Sequence, residues 1–266
     1  MGAREDDDGW DQVDNAASYD RFWDEHPRYR LANEALVERL EAAAPQARSI
    51  LDLAAGTGRT AARLLERFGD EVRITCFEPA SAMRRRGEAR APRAKWVPAW
   101  PSERFDAVLC ACAIWQLPLA TTFTHAAAGL PPGGAFVFDI PALYLGIPDE
   151  PGGGNDPTLT DGLVGLARAT TAPSTPAPNP PFLGGVAGVE AALDDAGFSV
   201  VVHEAQRRLR AHELRDWLTL PVISRAVVPN ADAEARAEAI HRAFADVDAA
   251  SWRWEGWRLF VATKRR

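Results

Sequence analysis

The feature that most constrains this chain is a regular alternation of short apolar segments and helical segments between residues 49 and 140. The apolar runs are almost uninterrupted, as expected for strands that are covered on both faces. They cover residues 49–54, 72–77, 95–97, 105–113 and 135–140, and helical patterns occupy 61–68, 80–91 and 121–130. Such alternation is typical of parallel sheets with right-handed crossovers. It therefore predicts an α/β fold with a doubly wound sheet.

The segments on either side of this region have a different character. A helical pattern precedes it at 15–44 and is interrupted by Pro27. After it, residues 148–182 are rich in Pro, Gly, Thr and Asn, which predicts a loop or lid with a short helix at 163–169. The rest of the chain predicts helices at 186–196, 211–220 and 231–247 and strands at 198–204 and 254–263.

These patterns suggest one domain over residues 1–266 with helical additions, since 266 residues suffice for a single large α/β domain. We expect an N-terminal helical cap at 1–44 and a cofactor-binding core at 45–140. An insertion loop or lid is expected at 141–185. The C-terminal part of the sheet is expected at 186–266, with a helical insertion at 211–250.

Composition and charge exclude several classes of function. The formal net charge is -7 and the pI about 5.3, so the surface repels nucleic acid, and the basic clusters are short. The three cysteines form no CxxC pair and no zinc spacing, so no metal site is expected. There is no apolar run of the ~20 residues that a membrane span needs, and no signal peptide is visible. We expect a cytoplasmic protein that binds neither membrane nor nucleic acid.

The most informative motif is the glycine turn after the first strand, in which Asp52 precedes Gly56 and Gly58. Small residues at such a turn let a ligand approach the backbone, and the following helix presents its amides to the same crevice. Glu78 closes the second strand, where a carboxylate can accept hydrogen bonds from both ribose hydroxyls of an adenosine cofactor. A dinucleotide site fits the G-x-G-x-x-A pattern as well. Asp52 inside the strand and the absence of a Tyr-x-x-x-Lys pair favour a different adenosyl cofactor.

In these motifs the chain resembles the class I S-adenosylmethionine-dependent methyltransferase superfamily. LDLAAGTG is similar to its first motif, with Ala54 in place of the first glycine, and FEPA is similar to the second. FDAVLCACAIWQL, LPPGGAFVFDI and VEAALDDAGFSVV resemble the later strand motifs. The resemblance covers about residues 49–140 and 186–204. It implies a Rossmann-like seven-stranded sheet whose last strand is antiparallel, with S-adenosyl-L-methionine as the cofactor.

The resemblance also implies roles for individual residues. Asp52 is expected near the methionine amino group, and Glu78 is expected to hold the ribose hydroxyls. The backbone around the turn is expected to face the methionine part and the ribose. The remaining cofactor-site candidates are Ala54, Gly56, Thr57, Gly58, Pro79 and Ala111. The family's acidic residue after the third strand is absent, so Trp100 is expected either to stack on adenine or to pack in the core.

Candidates for the acceptor side come from three other segments. The family often folds an N-terminal segment over the cofactor, which makes Tyr19 and Arg21 candidate cofactor contacts and Tyr19 a candidate catalytic residue. His26 is a candidate general base because its unperturbed pKa suits proton transfer near neutrality, with a packing role as the alternative. Trp115 and Gln116 follow the fourth strand and are candidate substrate contacts, Trp115 also with a catalytic role. Trp217, on a helix of the 211–250 insertion, completes this set.

The function that this reading favours is methyl transfer to a small-molecule acceptor. A composition rich in Ala, Arg, Gly and Pro suggests a high-GC genome and, by association, a natural-product acceptor. Two alternatives stay open. A fold of this kind can bind S-adenosylmethionine and catalyse a cyclisation or rearrangement, or it can serve as a non-catalytic binding protein.

Overall fold

One sheet organises the protein, whose computed structural model describes residues 9–148, 159–170, 183–229, 231–248 and 250–266. Seven strands follow one another across the sheet in the order β3-β2-β1-β4-β5-β7-β6. They are β1 Ser49–Leu53, β2 Arg73–Phe77, β3 Lys95–Val97, β4 Ala107–Cys110, β5 Ala135–Pro141, β6 Phe198–Arg210 and β7 Trp252–Lys264. β1 pairs in parallel with β2 and β4, β2 with β3, and β4 with β5. The last strand, β7, pairs antiparallel with β5, so the predicted fold class is confirmed.

Ten helices are described. They are α1 Val13–Glu25, α2 Arg28–Ala43, α3 Arg59–Phe68, α4 Ser81–Arg90, α5 Leu119–Gly129, α6 Leu159–Ala169, α7 Gly185–Asp195, α8 Ala211–Leu218, α9 Pro221–Val227 and α10 Ala233–Ala243. Single 3-10 turns occupy Ile114–Gln116 and Ala142–Leu145. The sequence missed α9, which begins with Pro221 in the first helical turn, where its missing N–H costs nothing. The predicted strand at 105–113 is shorter than expected because Cys112 takes a positive φ of 54°.

The chain divides into two compact units. The sheet unit contains residues 27–147, 182–205 and 257–266, and the helical unit contains 1–26, 148–181 and 206–256. The predicted cap at 1–44 is therefore split at Pro27: α1 belongs to the helical unit, whereas α2 belongs to the sheet unit and packs against β4, β5 and α3. Pro27 has no amide hydrogen to continue α1, which accounts for the break.

Each face of the sheet has its own apolar core. On one face, aromatic side chains from β5, β6, β7 and α5 pack together, and the rings of Phe138 and Phe260 stack with centroids 4.8 Å apart. On the other face, α2 and α3 cover β1, β2 and β4, and aliphatic residues from helices and strands, such as Leu36, Ile50 and Leu64, pack together. Helices α6, α8 and α10 build a third core within the helical unit. The second face of the sheet also carries the polar groups described next.

Candidate functional site

Three buried carboxylates lie at the carboxyl edge of the sheet, on one face. Asp52 pairs with Cys76 of β2 and with Leu109 of β4. Paired residues point to the same face, and side chains two apart along a strand share that face. Glu78 follows Cys76 by two positions, and Asp139 lies two positions beyond Val137, the partner of Leu109. In open α/β sheets, ligands bind at this edge.

The glycine turn joins β1 to α3 and is built from left-handed backbone. Ala54 has a φ of 56°, Gly56 of 56° and Gly58 of 78°. The Ala55 amide donates to the Phe77 carbonyl at 3.0 Å, which extends the β1–β2 ladder into the turn. The Ala55 carbonyl in turn accepts from the Gly58 amide at 3.0 Å. Ala54 therefore adopts the conformation that the family's first glycine would allow without strain.

Glu78 is held directly against this turn. Its Oε2 accepts a hydrogen bond from the Gly56 amide at 2.8 Å, and its Oε1 accepts from the Ala80 amide at 2.8 Å. The side chain is only 6% exposed. The structure thus brings together the carboxylate and the glycine turn that the sequence assigned to one cofactor. A carboxylate oxygen has lone pairs left for a further donor after one amide has bound.

The two glycines of the turn have different reasons to be glycine. A Cβ on Gly56 would meet only the Cε of Met83, at 3.8 Å. A Cβ on Gly58 would lie 2.9 Å from the Gly87 Cα and 3.1 Å from the Trp96 ring. Gly58 therefore serves the close packing of α3 on α4, whereas the backbone at Gly56 has room beside it for a ligand.

Asp52 is the residue of this site whose hydrogen bonding is incomplete among the described residues. The residue is 1% exposed, and its Oδ2 has no hydrogen-bond partner within the described part of the chain. Burial, and then the negative charge of Glu78, raise the pKa of Asp52 to about 8. A buried polar atom without a partner requires an explanation. An ammonium group beside Asp52 would satisfy the oxygen and favour the ionised carboxylate, so the site fits the amino group of a methionine moiety.

The other predicted cofactor residues lie around the same edge. Thr57 is 1% exposed, and its carbonyl accepts a hydrogen bond from Arg90 of α4. Pro79 is exposed, and Ala111 is half-buried just after β4. Trp100 packs with ring centroids 5.9 Å from Phe77 and 5.1 Å from His125. These contacts are those of a packed side chain. Trp100 lies against Phe77, the residue that precedes Glu78.

The predicted acceptor-side residues fall into both units. Trp115 and Gln116 lie in the sheet unit, where Trp115 is half-buried and Gln116 is exposed. Tyr19, Arg21 and Trp217 lie in the helical unit. There Tyr19 contacts Trp10 edge-on at 5.7 Å, Arg21 donates to Ser18 Oγ at 3.2 Å, and Trp217 packs on the helical core. The functional roles of these residues stay predictions.

His26 has a partner that sequence analysis did not identify. Its Nε2 lies 3.1 Å from Asp216 Oδ2, and its ring packs against Phe22 at 4.8 Å and His212 at 5.8 Å. Arg215 donates to the other Asp216 oxygen at 2.7 Å. The packing that the alternative reading predicted for His26 is present, and its ring is also oriented by a carboxylate. A separation of 190 residues hides such a pair from sequence patterns.

Asp139 is the functional candidate that the sequence reading passed over. It is 1% exposed, its Oδ1 accepts from the Cys112 amide at 2.6 Å, and its Oδ2 accepts from the Cys112 thiol at 3.4 Å. Asn33 of α2 lies 3.7 Å from the same sulfur and accepts a hydrogen bond from Thr60 of α3. Burial raises the pKa of Asp139 to about 7, against the lowering effect of the Cys112 amide. A carboxylate inside the apolar run FVFDI was the available signal.

Neither a metal-binding cluster nor a membrane-spanning helix occurs among the described residues. No group of three or more His, Cys, Asp or Glu side chains there is placed to hold a metal ion. None of the described helices combines the length and apolar character that crossing a membrane requires.

The strand order and the site define a class of protein, an open α/β sheet with a left-handed glycine turn and buried carboxylates at the carboxyl ends of its first strands. Residues 50–134 match the family model of the methyltransferase domain. Over these residues the chain is similar to methyltransferases, a family whose cofactor is S-adenosyl-L-methionine. Among curated proteins, no match was found.

Solved structures extend the comparison. A candidate methyltransferase of Bacillus halodurans aligns at 16% identity and a TM-score of 0.55, over 87% of this chain and 99% of its own. A Thiobacillus denitrificans S-adenosylmethionine-dependent methyltransferase, crystallised with S-adenosyl-L-homocysteine, aligns at 16% identity and 0.50, over 87% and 91%. At these identities the likeness concerns the fold.

Another solved structure matches a smaller part of this chain at higher sequence identity. The sugar N-methyltransferase KedS8 of Streptoalloteichus sp. is 30% identical, over 45% of this chain and 52% of its own, with a TM-score of 0.39. The chain thus spans little more than half the length of the first structures that it matches.

Proposed function

We propose that this chain transfers a methyl group from S-adenosyl-L-methionine to a small-molecule acceptor, and that the acceptor is a natural product. The observation that supports this most directly is the contact between Glu78 and the Gly56 amide, together with Asp52 Oδ2, which has no hydrogen-bond partner in the described part of the chain. These groups match the polar parts of an adenosyl amino acid. Glu78 offers acceptors for the two ribose hydroxyls, Asp52 offers a carboxylate for the ammonium group, and the glycine turn leaves its backbone accessible to the atoms between them.

The roles of the individual groups follow from their chemistry. Asp52 binds the amino group, Glu78 binds the ribose hydroxyls, and the left-handed backbone from Ala54 to Gly58 leaves space for the part between them. The bound cofactor supplies an electrophilic methyl group, so the protein mainly has to position the acceptor and exclude water. A general base is required only if the acceptor loses a proton in the transition state. His26, oriented by Asp216, is the candidate for that role.

The small-molecule class is supported by charge and by side-chain type. The net charge of -7 disfavours a polyanionic acceptor. Aromatic side chains, Trp115 and Tyr144, follow the carboxyl ends of β4 and β5, where they offer flat apolar surface to an organic acceptor.

Calorimetry with S-adenosyl-L-homocysteine tests the proposal. Wild-type protein is expected to bind, and Glu78→Ala is expected to lose at least tenfold in affinity, because hydrogen bonds to a charged group contribute about 1.5–3 kcal/mol. Glu78→Gln keeps one acceptor oxygen and is expected to lose less. Glu71→Ala is the matched control, since Glu71 is 82% exposed and forms an ion pair with Arg48.

Two outcomes would count against the proposal. A folded wild-type protein that releases no heat with this ligand would contradict cofactor binding, and an unchanged affinity in Glu78→Ala would remove Glu78 from the site. Once an acceptor is known, mass spectrometry separates methyl transfer from cyclisation or rearrangement, because only methyl transfer adds one methylene unit to the product.

A further inference from the structure

We propose that Trp115, Tyr144 and Trp257 form the acceptor subsite of the sheet unit, and that it takes a planar, uncharged ring compound whose oxygen accepts a hydrogen bond from Trp257 Nε1. The inference rests on the proposed function, because it names the acceptor class for the same reaction. No sequence motif assigned Trp257 to the site.

The three aromatic side chains come from separate elements that meet at the carboxyl edge. Trp115 lies in the turn after β4, Tyr144 in the turn after β5, and Trp257 in β7 opposite Pro141. The rings of Trp115 and Tyr144 stack with centroids 5.2 Å apart and planes 19° from parallel. The Trp257 ring lies 6.2 Å from that of Trp115, at 59°. A stacked pair beside a tilted third ring presents both faces and edges to a flat ligand.

The indole nitrogen of Trp257 supplies the polar part of the subsite. Trp257 is 3% exposed, and its Nε1 has no hydrogen-bond partner among the residues that the structure describes. A buried indole N–H normally donates to an acceptor, and leaving it unpaired costs free energy. By contrast, the Nε1 of Trp96 donates to the Ala91 carbonyl at 3.2 Å. Trp257 therefore has the donor that an oxygen-bearing ligand would satisfy.

The backbone before Trp115 is held in place by buried bonds. Asp139 accepts from both the amide and the thiol of Cys112, whose φ of 54° is unusual for a residue other than glycine. Strained backbone that is held in this way is typical of functional sites. Trp115 follows three residues later, so its ring starts from a fixed position, and little ordering cost remains for a ligand that stacks on it.

The charges at this edge favour a neutral ligand. The opposite charges of Asp139 and Arg28 both act on Cys112, so their effects partly cancel there and no net charge is offered to a charged ligand. On the paired strands, Leu259 lies opposite Asp139 and Trp257 opposite Pro141, which places Asp139 and Trp257 on the same face. An anionic oxygen at Trp257 Nε1 would therefore lie on the face that carries a carboxyl group. A ketone, lactone, amide or phenol oxygen avoids this repulsion.

Ligand-observed NMR titration tests the proposal on protein saturated with S-adenosyl-L-homocysteine. The probes are coumarin, a planar lactone, and indene, a similar ring system without oxygen. Wild-type protein is expected to bind both, coumarin more tightly. Trp257→Phe is expected to weaken coumarin about fivefold, as for one lost hydrogen bond, and to leave indene within about twofold. Trp115→Leu is expected to weaken both probes.

Trp252→Phe is the matched control, because Trp252 stacks under Arg208 in the helical unit and is expected to leave both affinities unchanged. Equal coumarin binding by Trp257→Phe and Trp252→Phe would overturn the proposal, as would wild-type protein that binds S-adenosyl-L-homocysteine but neither probe. Tighter binding of coumarin-3-carboxylate than of coumarin would overturn the neutral class. Failure to bind S-adenosyl-L-homocysteine at all would instead contradict the proposed function.

Discussion

Two regions of the same sheet edge repeat one arrangement with different consequences. After β1, Ala54 has a φ of 56°, and after β4, Cys112 has a φ of 54°; they are the two non-glycine residues with positive φ in the described chain. Each lies near a buried carboxylate that accepts hydrogen bonds from backbone amides. Glu78 accepts from Gly56 and Ala80, and Asp139 accepts from Cys112 itself.

The difference lies in what is left over for a ligand. At the β1–β2 edge, Asp52 Oδ2 has no partner among the described residues, and a Cβ on Gly56 would meet only the Met83 Cε, at 3.8 Å. At the β4–β5 edge, both oxygens of Asp139 contact Cys112. Of the three carboxylates on this face, Asp52 keeps an oxygen without a partner among the described residues, whereas both oxygens of Asp139 accept from Cys112. Glu78 lies between these cases, since each of its oxygens accepts from one backbone amide. All three are buried, so their hydrogen-bond partners and not their burial separate these roles.

The largest effect that separates the two edges is expected for stability at Asp139. Asp139→Ala leaves the buried Cys112 amide without its acceptor and removes the support of a strained residue. We expect a loss of about 2–4 kcal/mol in the free energy of unfolding, measured by urea denaturation. Asp139→Asn keeps an acceptor oxygen for the amide and is expected to lose much less.

Asp52→Asn is the matched variant at the other edge. Asp52 Oδ2 has no partner among the described residues to lose, and its raised pKa of about 8 makes the buried carboxyl costly near neutral pH. The unfolding free energy of Asp52→Asn at pH 7 is therefore expected to equal or exceed that of wild type. Equal destabilisation by Asp139→Ala and Asp52→Asn would contradict the division of roles.

The same contrast explains what sequence analysis was able to predict. Asp52, Gly56, Gly58 and Glu78 lie within 27 positions on one strand-turn-helix-strand unit, so the local motif indicated their common site. At the β4–β5 edge, Asn33, Cys112, Asp139 and Trp257 come from four distant segments. Each of these residues alone looks like an ordinary core position, and only the register of β4, β5 and β7 and the packing of α2 on β4 and β5 bring them to one edge.

Element ends were harder to predict because tertiary contacts decide them. β4 ends early at the left-handed Cys112, although the apolar run continues to Ala113. β6 continues to Arg210, six residues beyond its predicted end, because β7 runs beside it. Gly58 was read as a ligand-approach glycine, and the structure shows that α4 packing already requires it.

A second expected difference between the edges concerns pH and cofactor affinity. The pKa of Asp52 is raised to about 8, so the unliganded carboxyl is largely protonated at pH 7. Binding an ammonium group favours the ionised form, so binding below pH 8 must release a proton. Affinity for S-adenosyl-L-homocysteine is therefore expected to fall by up to tenfold per pH unit from pH 8 to pH 6. Calorimetry in buffers of different ionisation enthalpy measures the released proton directly.

Variants at the two edges give the control for this linkage. Asp52→Asn cannot ionise, so its affinity is expected to be lower and nearly independent of pH over this range. Asp139 has a raised pKa of about 7 but no free role at the cofactor, so Asp139→Asn is expected to keep the wild-type pH dependence. A pH dependence that disappears in Asp139→Asn and persists in Asp52→Asn would show that Asp139 releases the proton, and would contradict its assignment to Asp52.

The smallest expected effect comes from replacing the two left-handed residues by glycine. Glycine relieves the strain of a positive φ, which stabilises the folded state by about 1 kcal/mol. It also raises the entropy of the unfolded chain, which destabilises the fold by about 1 kcal/mol, so the two contributions nearly cancel. Ala54→Gly removes only a half-buried methyl group and is expected to be neutral or to stabilise by up to about 1 kcal/mol, with affinity for S-adenosyl-L-homocysteine within about twofold.

Cys112→Gly relieves similar strain but also removes a sulfur that lies 3.4 Å from Asp139 and 3.7 Å from Asn33. It is therefore expected to destabilise by about 1–2 kcal/mol, since a buried side chain is lost and its polar neighbours lose a contact. Urea denaturation of both variants measures the sign of each change. If Ala54→Gly lowered the unfolding free energy as much as Cys112→Gly, the turn after β1 would depend on contacts of the Ala54 methyl group. The β1–β2 edge would then be as closely packed as the β4–β5 edge, which would contradict the difference between them.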